Sequence, residues 1–348
     1  MPRLPLRSPP GAAEPARHPP ARRRSALRTA IRALPPLLAL LLVAPGATPQ
    51  RNPFAGRRLY VDPASPAARQ AAAWNRSRPA DAARMRVIAA QPQAKWMGDW
   101  ARDVRREVDG VVGAAARQGA LPVLVAYNIP HRDCGLYSAG GARDGDGYRR
   151  WIRDFAAGIN RRPAVVIVEP DGLPSLDCLP LRLQDERYVL LRDAVQTLKA
   201  AGAAVYVDAG NANWRRPPDM AGRLRKAGIE MADGFSLNVS NFHAVQVNVT
   251  YGEQLSRLVG GKHFVVDTSR NGRGNAVERQ WCNAPNQALG RAPTTQTGSA
   301  LADAFLWVKT PGQSDGTCNG GPRAGEWWAD YALELSKAAE AIGSMLPH

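Results

Sequence analysis

An unbroken apolar run, Ala164 to Val168, ends in Glu169-Pro170-Asp171-Gly172-Leu173-Pro174, so two carboxylates follow directly on a β-branched stretch. The same signature recurs along the chain. Asp133 follows the apolar stretch 121–128, Asp208 follows 203–207, Asp267 follows 263–266, and Asp315 comes shortly after 304–308. Three tryptophans, Trp96, Trp214 and Trp281, fall among these segments, and Ser240-Asn241-Phe242-His243 closes another apolar stretch. A single Asp in such a place is as readily a helix N-cap, and a single Trp as readily core. Gathered at one rim they describe a sugar site. Indole faces stack on the apolar faces of pyranose rings, while carboxyls with divergent pKa protonate a leaving oxygen and activate water.

Such a rim needs a scaffold that brings the ends of distant segments together. Short apolar runs bounded by Pro and Gly fit parallel strands covered on both faces, and parallel sheets carry their chemistry at the carboxyl ends of the strands. Strands are expected over 86–92 leading to the Trp96 tip, then 121–128, 164–168, 203–207, 234–239, 263–266 and 304–308, with helices over 64–75, 103–118, 148–160, 185–201 and 220–228. Seven strands mostly alternating with helices predict an α/β fold, a distorted TIM-like (β/α) barrel. An open doubly wound sheet is the alternative, but no Gly-x-Gly-x-x-Gly turn follows the first strand to hold a dinucleotide.

The chain has 348 residues and a formal net charge of +16. Residues 1–50 carry eight arginines and one glutamate, which leaves the remainder 38 basic and 29 acidic residues, a net +9. In that N-terminal stretch, Arg22, Arg23, Arg24, Arg28 and Arg32 precede the apolar run 34–44 and the small residues 45–48, the layout of a targeting segment with cleavage near Ala47. The apolar run is too short to span a bilayer. Residues 1–50 are thus expected to be signal and linker, 51–348 a catalytic domain, and the product secreted, without membrane contact after processing; the alternative is a later start or an uncleaved N-terminal anchor. No run of basic residues alternates with aromatics, so nucleic acid is not an expected partner. Four cysteines, Cys134, Cys178, Cys282 and Cys318, form an even set without Cys-x-x-Cys spacing and favour two disulfides over a metal site. No metal or cofactor is expected. Serine-nucleophile chemistry lacks Gly-x-Ser-x-Gly, and His131, His243 and His263 have no evident serine partner.

Two long stretches, 125–135 (Val-Ala-Tyr-Asn-Ile-Pro-His-Arg-Asp-Cys-Gly) and 166–171 (Val-Ile-Val-Glu-Pro-Asp), together resemble the paired signatures of glycoside hydrolase family 6, the family of cellulases. The likeness runs through 52–63, the Trp96 segment, 208–214, 267–272, 281–283 and 307–309, and covers essentially residues 52–345. It implies inverting hydrolysis of β-1,4-glucan in a barrel of about seven strands. By the same resemblance Asp171 is the general acid, Asp133 the carboxylate that raises the acid's pKa and helps activate water, and Asp208 a third carboxylate nearby. Tyr127 is similar to the tyrosine that distorts the sugar at subsite −1, and Ser138 lies in the loop that closes over it. Trp96 and Trp281 match platforms on the non-reducing side, Trp214 the +1 platform, and Lys309 a lysine binding sugar hydroxyls. Asn241 joins them as a sugar-binding candidate. Asp315 occupies the position of the suggested catalytic base, with Arg270 as its ionic partner. The family's disulfides imply Cys134 with Cys178 and Cys282 with Cys318.

One position departs from that pattern. Two residues before Asp315, where the family usually has Glu, stands Gln313, an amide that can bind a hydroxyl but carries no charge. The intervals after Trp214 and after Lys309 are also too short to roof a cleft several sugars long. The expectation is therefore a monomeric endo-acting glucanase with an open groove. The alternatives are a cellobiohydrolase of the same family and a catalytically weak glucan-binding protein.

Overall fold

The computed structural model describes residues 51–274 and 280–343; the targeting segment expected at 1–50 lies outside the described residues. Seven parallel strands form one sheet in sequence order: β1 (Lys95–Met97), β2 (Val123–Ala126), β3 (Val165–Val168), β4 (Ala204–Asp208), β5 (Gly234–Leu237), β6 (His263–Asp267) and β7 (Ala302–Leu306). A single parallel bridge between Gln93 and Trp307 joins the two edges. Trp96 reinforces the seam, its indole Nε1 donating to the Val308 carbonyl at 2.8 Å. The expected barrel of seven strands is thus present, stitched rather than fully laddered at the β7–β1 seam.

Alternation along the strands makes two cores. Inward positions such as Val125, Tyr127, Ile167, Tyr206, Val265, Ala304 and Leu306 pack on one another and on Phe54. Outward positions such as Leu124, Val166, Val207, Phe235 and Phe264 meet the helices. Because β2 to β7 are buried on both faces, the sequence shows continuous apolar runs there instead of alternation.

The helices follow from their stripes and caps. Helix α3 (Val104–Arg117) buries Val104, Val108, Val112 and Ala115, positions one helical turn apart, and its N-cap Asp103 accepts the Arg106 amide. Helix α4 (Gly145–Ile159) starts at Asp144, whose carboxylate accepts the Gly147 amide at 2.7 Å. Helices α5 (Leu181–Ala200), α6 (Pro217–Lys226) and α7 (Val245–Leu258) complete the outer layer. Helices α1 (Pro66–Trp74), α2 (Pro79–Ala89) and α8 (Ala329–Ala341) pack with Trp307 as a separate cluster.

The expected strand at 86–92 is corrected. Those residues mostly belong to α2, where Ala82, Met85 and Ile88 recur every three residues and give a helix its single buried face. Pro79 at its first turn favours that start. The first strand begins instead at Lys95 and still ends beside the Trp96 tip.

Candidate active site

The carboxyl ends of the strands surround a cleft of about 590 Å³. Of the residues singled out by sequence, Asp133, Asp171, Asp315, Tyr127, Ser138, Lys309, Asn241, Trp96, Trp214 and Trp281 line it. Asp208 and Arg270 stand behind that lining, both buried. Gln313 lines the adjoining groove instead. Sequence reasoning assigned no role to Asn211, Asn213 or His243, which also line the cleft. Their placement at strand tips was the available signal. Asn213 Nδ2 lies 3.2 Å from His243 Nδ1, and burial lowers the His243 pKa, which favours the neutral ring.

Backbone geometry aims the acids. Asp133, Cys134, Glu169 and Asp171 all adopt left-handed φ values, between 50° and 67°. Such conformations cost on the order of 1 kcal/mol or more each and persist where the surroundings over-determine them. Glu169 shows how. Its carboxylate turns away from the rim and accepts the Asn128 and Ile129 amides, each at 3.0 Å. Arg187 adds a second tie by donating to the carbonyls of Gly172 at 3.0 Å and Pro130 at 2.7 Å. The turns after β2 and β3 are therefore locked together, with Asp133 on one and Asp171 on the other. Asp267 acts likewise among β5, β6 and β7, accepting the amides of Ser240, Ser269, Val308 and Lys309. Both carboxylates resembled catalytic candidates in sequence and serve as ties.

Asp171 meets other acids. Burial pushes its pKa well above the ordinary value, and Asp208 and Asp133 push it further, against the pull of Lys309. Asp208 is raised to about 7, chiefly by burial, and its carboxylate accepts the amides of Asp171 at 3.0 Å and Gly210 at 3.1 Å and the Ser236 hydroxyl at 3.0 Å. Three donors favour the anion at Asp208 and leave the proton on Asp171. Asp133 is also raised by burial, with the Ser138 amide, 2.7 Å from Oδ2, working in the opposite direction.

Asp315 has the opposite surroundings. Arg270 holds it in a two-point pair at 2.8 and 3.0 Å, Lys309 Nζ lies 3.1 Å away, and the Asn283 amide donates at 2.9 Å. Burial favours the protonated form, yet the two cations outweigh it and hold Asp315 below the usual carboxylate range. Phe242 backs the Arg270 guanidinium, 4.4 Å from its ring centroid.

Disulfides Cys134–Cys178 and Cys282–Cys318 fasten the loops after β2 and β3, and those after β6 and β7. Each closes a loop worth about 4 kcal/mol in the chain-entropy account. The loop after β2 also reaches sideways: Tyr137 lies edge-on to Trp281 at 5.9 Å between centroids and packs over Gly316, where a Cβ would collide with its ring. Among the described residues, no group of three or more His, Cys, Asp or Glu could hold a metal ion.

Carboxyls with opposed electrostatics, set among tryptophans on the rim of a parallel barrel, define a protein of the carbohydrate-hydrolase class. The chain belongs to glycosyl hydrolases family 6, whose pattern matches residues 54–339. It is 44% identical to endoglucanase A of Cellulomonas fimi over 283 residues, 80% of this chain and 61% of that protein's length. Endoglucanase 1 of Streptomyces halstedii is 41% identical over 322 residues, 89% of this chain and 98% of its own length. Among solved structures, the endoglucanase Cel6 of Mycobacterium tuberculosis, in complex with methyl-cellobiosyl-4-deoxy-4-thio-β-D-cellobioside, superposes with a TM-score of 0.80. That pair shares 46% identity and covers 83% of this chain and all of the other.

Proposed function

We propose that this chain is an exported, monomeric endo-β-1,4-glucanase that inverts configuration at the cleaved bond and needs no cofactor. The observation carrying this reading is Asp171, whose carboxyl meets the cleft while burial and two neighbouring acids favour its protonated form. A protonated carboxyl there delivers its proton to the departing glycosidic oxygen. Asp133, less strongly raised, receives the proton of an attacking water through a further water. Asp315 serves as a fixed negative charge that orients Lys309 toward sugar hydroxyls, since its lone pairs are already engaged by Arg270, Lys309 and Asn283. Tyr127, edge-on to Trp96 at 5.1 Å, crowds the sugar at −1, and Ser138 closes over it. Trp96 and Trp281 carry sugars on the non-reducing side, and Trp214 the first on the reducing side, with Asn241 hydrogen-bonding beside them.

Endo action is favoured by the short path from Trp214 to α6, which begins at Pro217, and by the endoglucanase names of the relatives. Two disulfides suit an oxidising compartment, and no described helix is long and apolar enough to cross a membrane. Carboxymethylcellulose should lose viscosity well before much reducing sugar appears, and proton NMR of early cello-oligosaccharide products should show the α-anomer first. A β-anomer appearing first would overturn inversion. Cellobiose as nearly the only early product, with viscosity unchanged, would overturn endo action.

A further inference from the structure

The catalytic cleft does not end at Trp96. A groove of about 890 Å³ shares Trp96, Tyr127, Ser138 and Lys309 with it, then continues along β1, lined by α3, the loop 323–326 and the segment around Tyr60 and Asp62. At its rim Trp100 is 53% exposed, more than the cleft tryptophans Trp281 at 40% and Trp214 at 37%. It is nevertheless held in place. The ring lies on Gly98, where a Cβ would fall among its atoms, and the Arg132 guanidinium is 5.3 Å from its centroid. Arg132 is itself fixed by Asp99 at 2.9 Å and by the carbonyls of Tyr127 at 2.9 Å and Ser138 at 2.8 Å. The floor supplies hydroxyl partners, with Lys95, Glu107, Gln313, Arg323 and Glu326 along it.

A rigid, exposed indole beside polar side chains, continuous with a cleft already flanked by indoles, is a further sugar platform. We propose that Trp100 carries the next glucosyl residue beyond Trp96, a −3 subsite occupied by the same glucan chain. This rests on the glucanase reading above and extends it: an enzyme cutting inside a chain must let the non-reducing portion leave past Trp96, and this groove is the continuous path. The occupant is chosen by that continuity, since the two spaces share their lining at the point where the chain would pass.

Cellopentaose carrying ¹⁸O at its reducing end distinguishes the binding frames. Cleavage with three sugars on the non-reducing side gives unlabelled cellotriose and labelled cellobiose. The frame with two sugars there gives unlabelled cellobiose and labelled cellotriose. The wild-type protein should yield a substantial share of unlabelled cellotriose. Trp100→Ala should lower the ratio of unlabelled cellotriose to unlabelled cellobiose by about fivefold, the scale of one modest side-chain contact, while Trp100→Phe retains most of it. Because the ratio is read within one sample, it is independent of how much variant is folded. A wild-type pattern lacking unlabelled cellotriose, or a ratio unmoved in Trp100→Ala, would overturn the subsite while leaving the glucanase reading intact. No cleavage at all by the wild-type protein would overturn that reading, and the subsite with it.

Discussion

Two acids on the same rim have met burial with opposite results. Asp171 faces Asp208 and Asp133, and each of these acids, when charged, makes its ionisation harder, against the pull of Lys309. Asp315 faces Arg270 and Lys309, and its ionisation is favoured although it is buried at least as deeply. Desolvation has the same sign for both and cannot explain the difference; the sign of the partner decides. One rim can thus offer a proton at one place and a fixed negative charge at another without differing in residue type.

The largest effect should come from removing the proton itself. Asp171→Asn keeps size and polarity but has no proton to donate, so turnover of unactivated glucan should fall by about 10³–10⁴-fold. Calorimetric titration with cellotetraose should show binding nearly unchanged. If the variant keeps most of its activity on cellulose, Asp171 is not the proton donor. The Asp315 side should respond in stability instead. Arg270→Leu leaves Asp315 buried with one of its two cations gone, and unfolding by urea should show a loss on the order of 3 kcal/mol. The pH dependence has a definite sign. Asp315 titrates below its unfolded value, so its contribution is present above the unfolded pKa and disappears as pH falls through the folded one. In Arg270→Leu the folded pKa of Asp315 rises toward the unfolded one, so this acid-side loss of stability should shrink. An unchanged urea midpoint would mean that Lys309 and Asn283 suffice to hold the charge.

Much of this layout is legible in sequence because it rests on short-range pattern. The β-branched run before Glu169, bounded by Pro163 and Gly172, fits a strand covered on both faces, and that placed Asp171 at a tip. The stretch 86–92 misled because a short apolar run looks alike in helix and strand. Only the three-residue recurrence of Ala82, Met85 and Ile88, together with the start at Pro79, separates the two. What could not be read is where a carboxylate turns once it reaches the rim. Glu169 and Asp171 are two residues apart, both with left-handed φ, yet one turns back to backbone amides and the other meets the cleft. That choice is made by Asn128, Ile129 and Arg187, residues around 20 to 40 positions away in the chain. Gln313 shows the same limit: read beside Asp315, it belongs to the neighbouring groove because the strand-like pairing of Gln313 with Trp327 carries it outward.

The finest test of the contrast changes one acid's neighbour without touching the acid. Asp208 stands behind the cleft lining, and its carboxylate raises the Asp171 pKa through space while accepting the Asp171 amide. In Asp208→Asn the amide oxygen can still accept that N–H, so position is largely retained, but the negative charge is gone. Ionisation of Asp171 then becomes easier and its pKa falls. If Asp171 is the proposed acid, the alkaline limb of the rate profile should move to lower pH, by about 1 unit for a single buried like charge, with the rate on the acid plateau changed far less. Asp315→Asn moves the same limb in the same direction. Asp315 is also a negative neighbour that raises Asp171, but a smaller one than Lys309 is a lowering one. Its removal frees Lys309 from its ion pair, so the limb should move down further than its own charge accounts for. Measuring kcat/KM on a soluble glucan across pH for both variants checks the order. A limb that stays in place in Asp208→Asn would show that burial alone protonates Asp171, and that the neighbouring acids contribute geometry rather than charge.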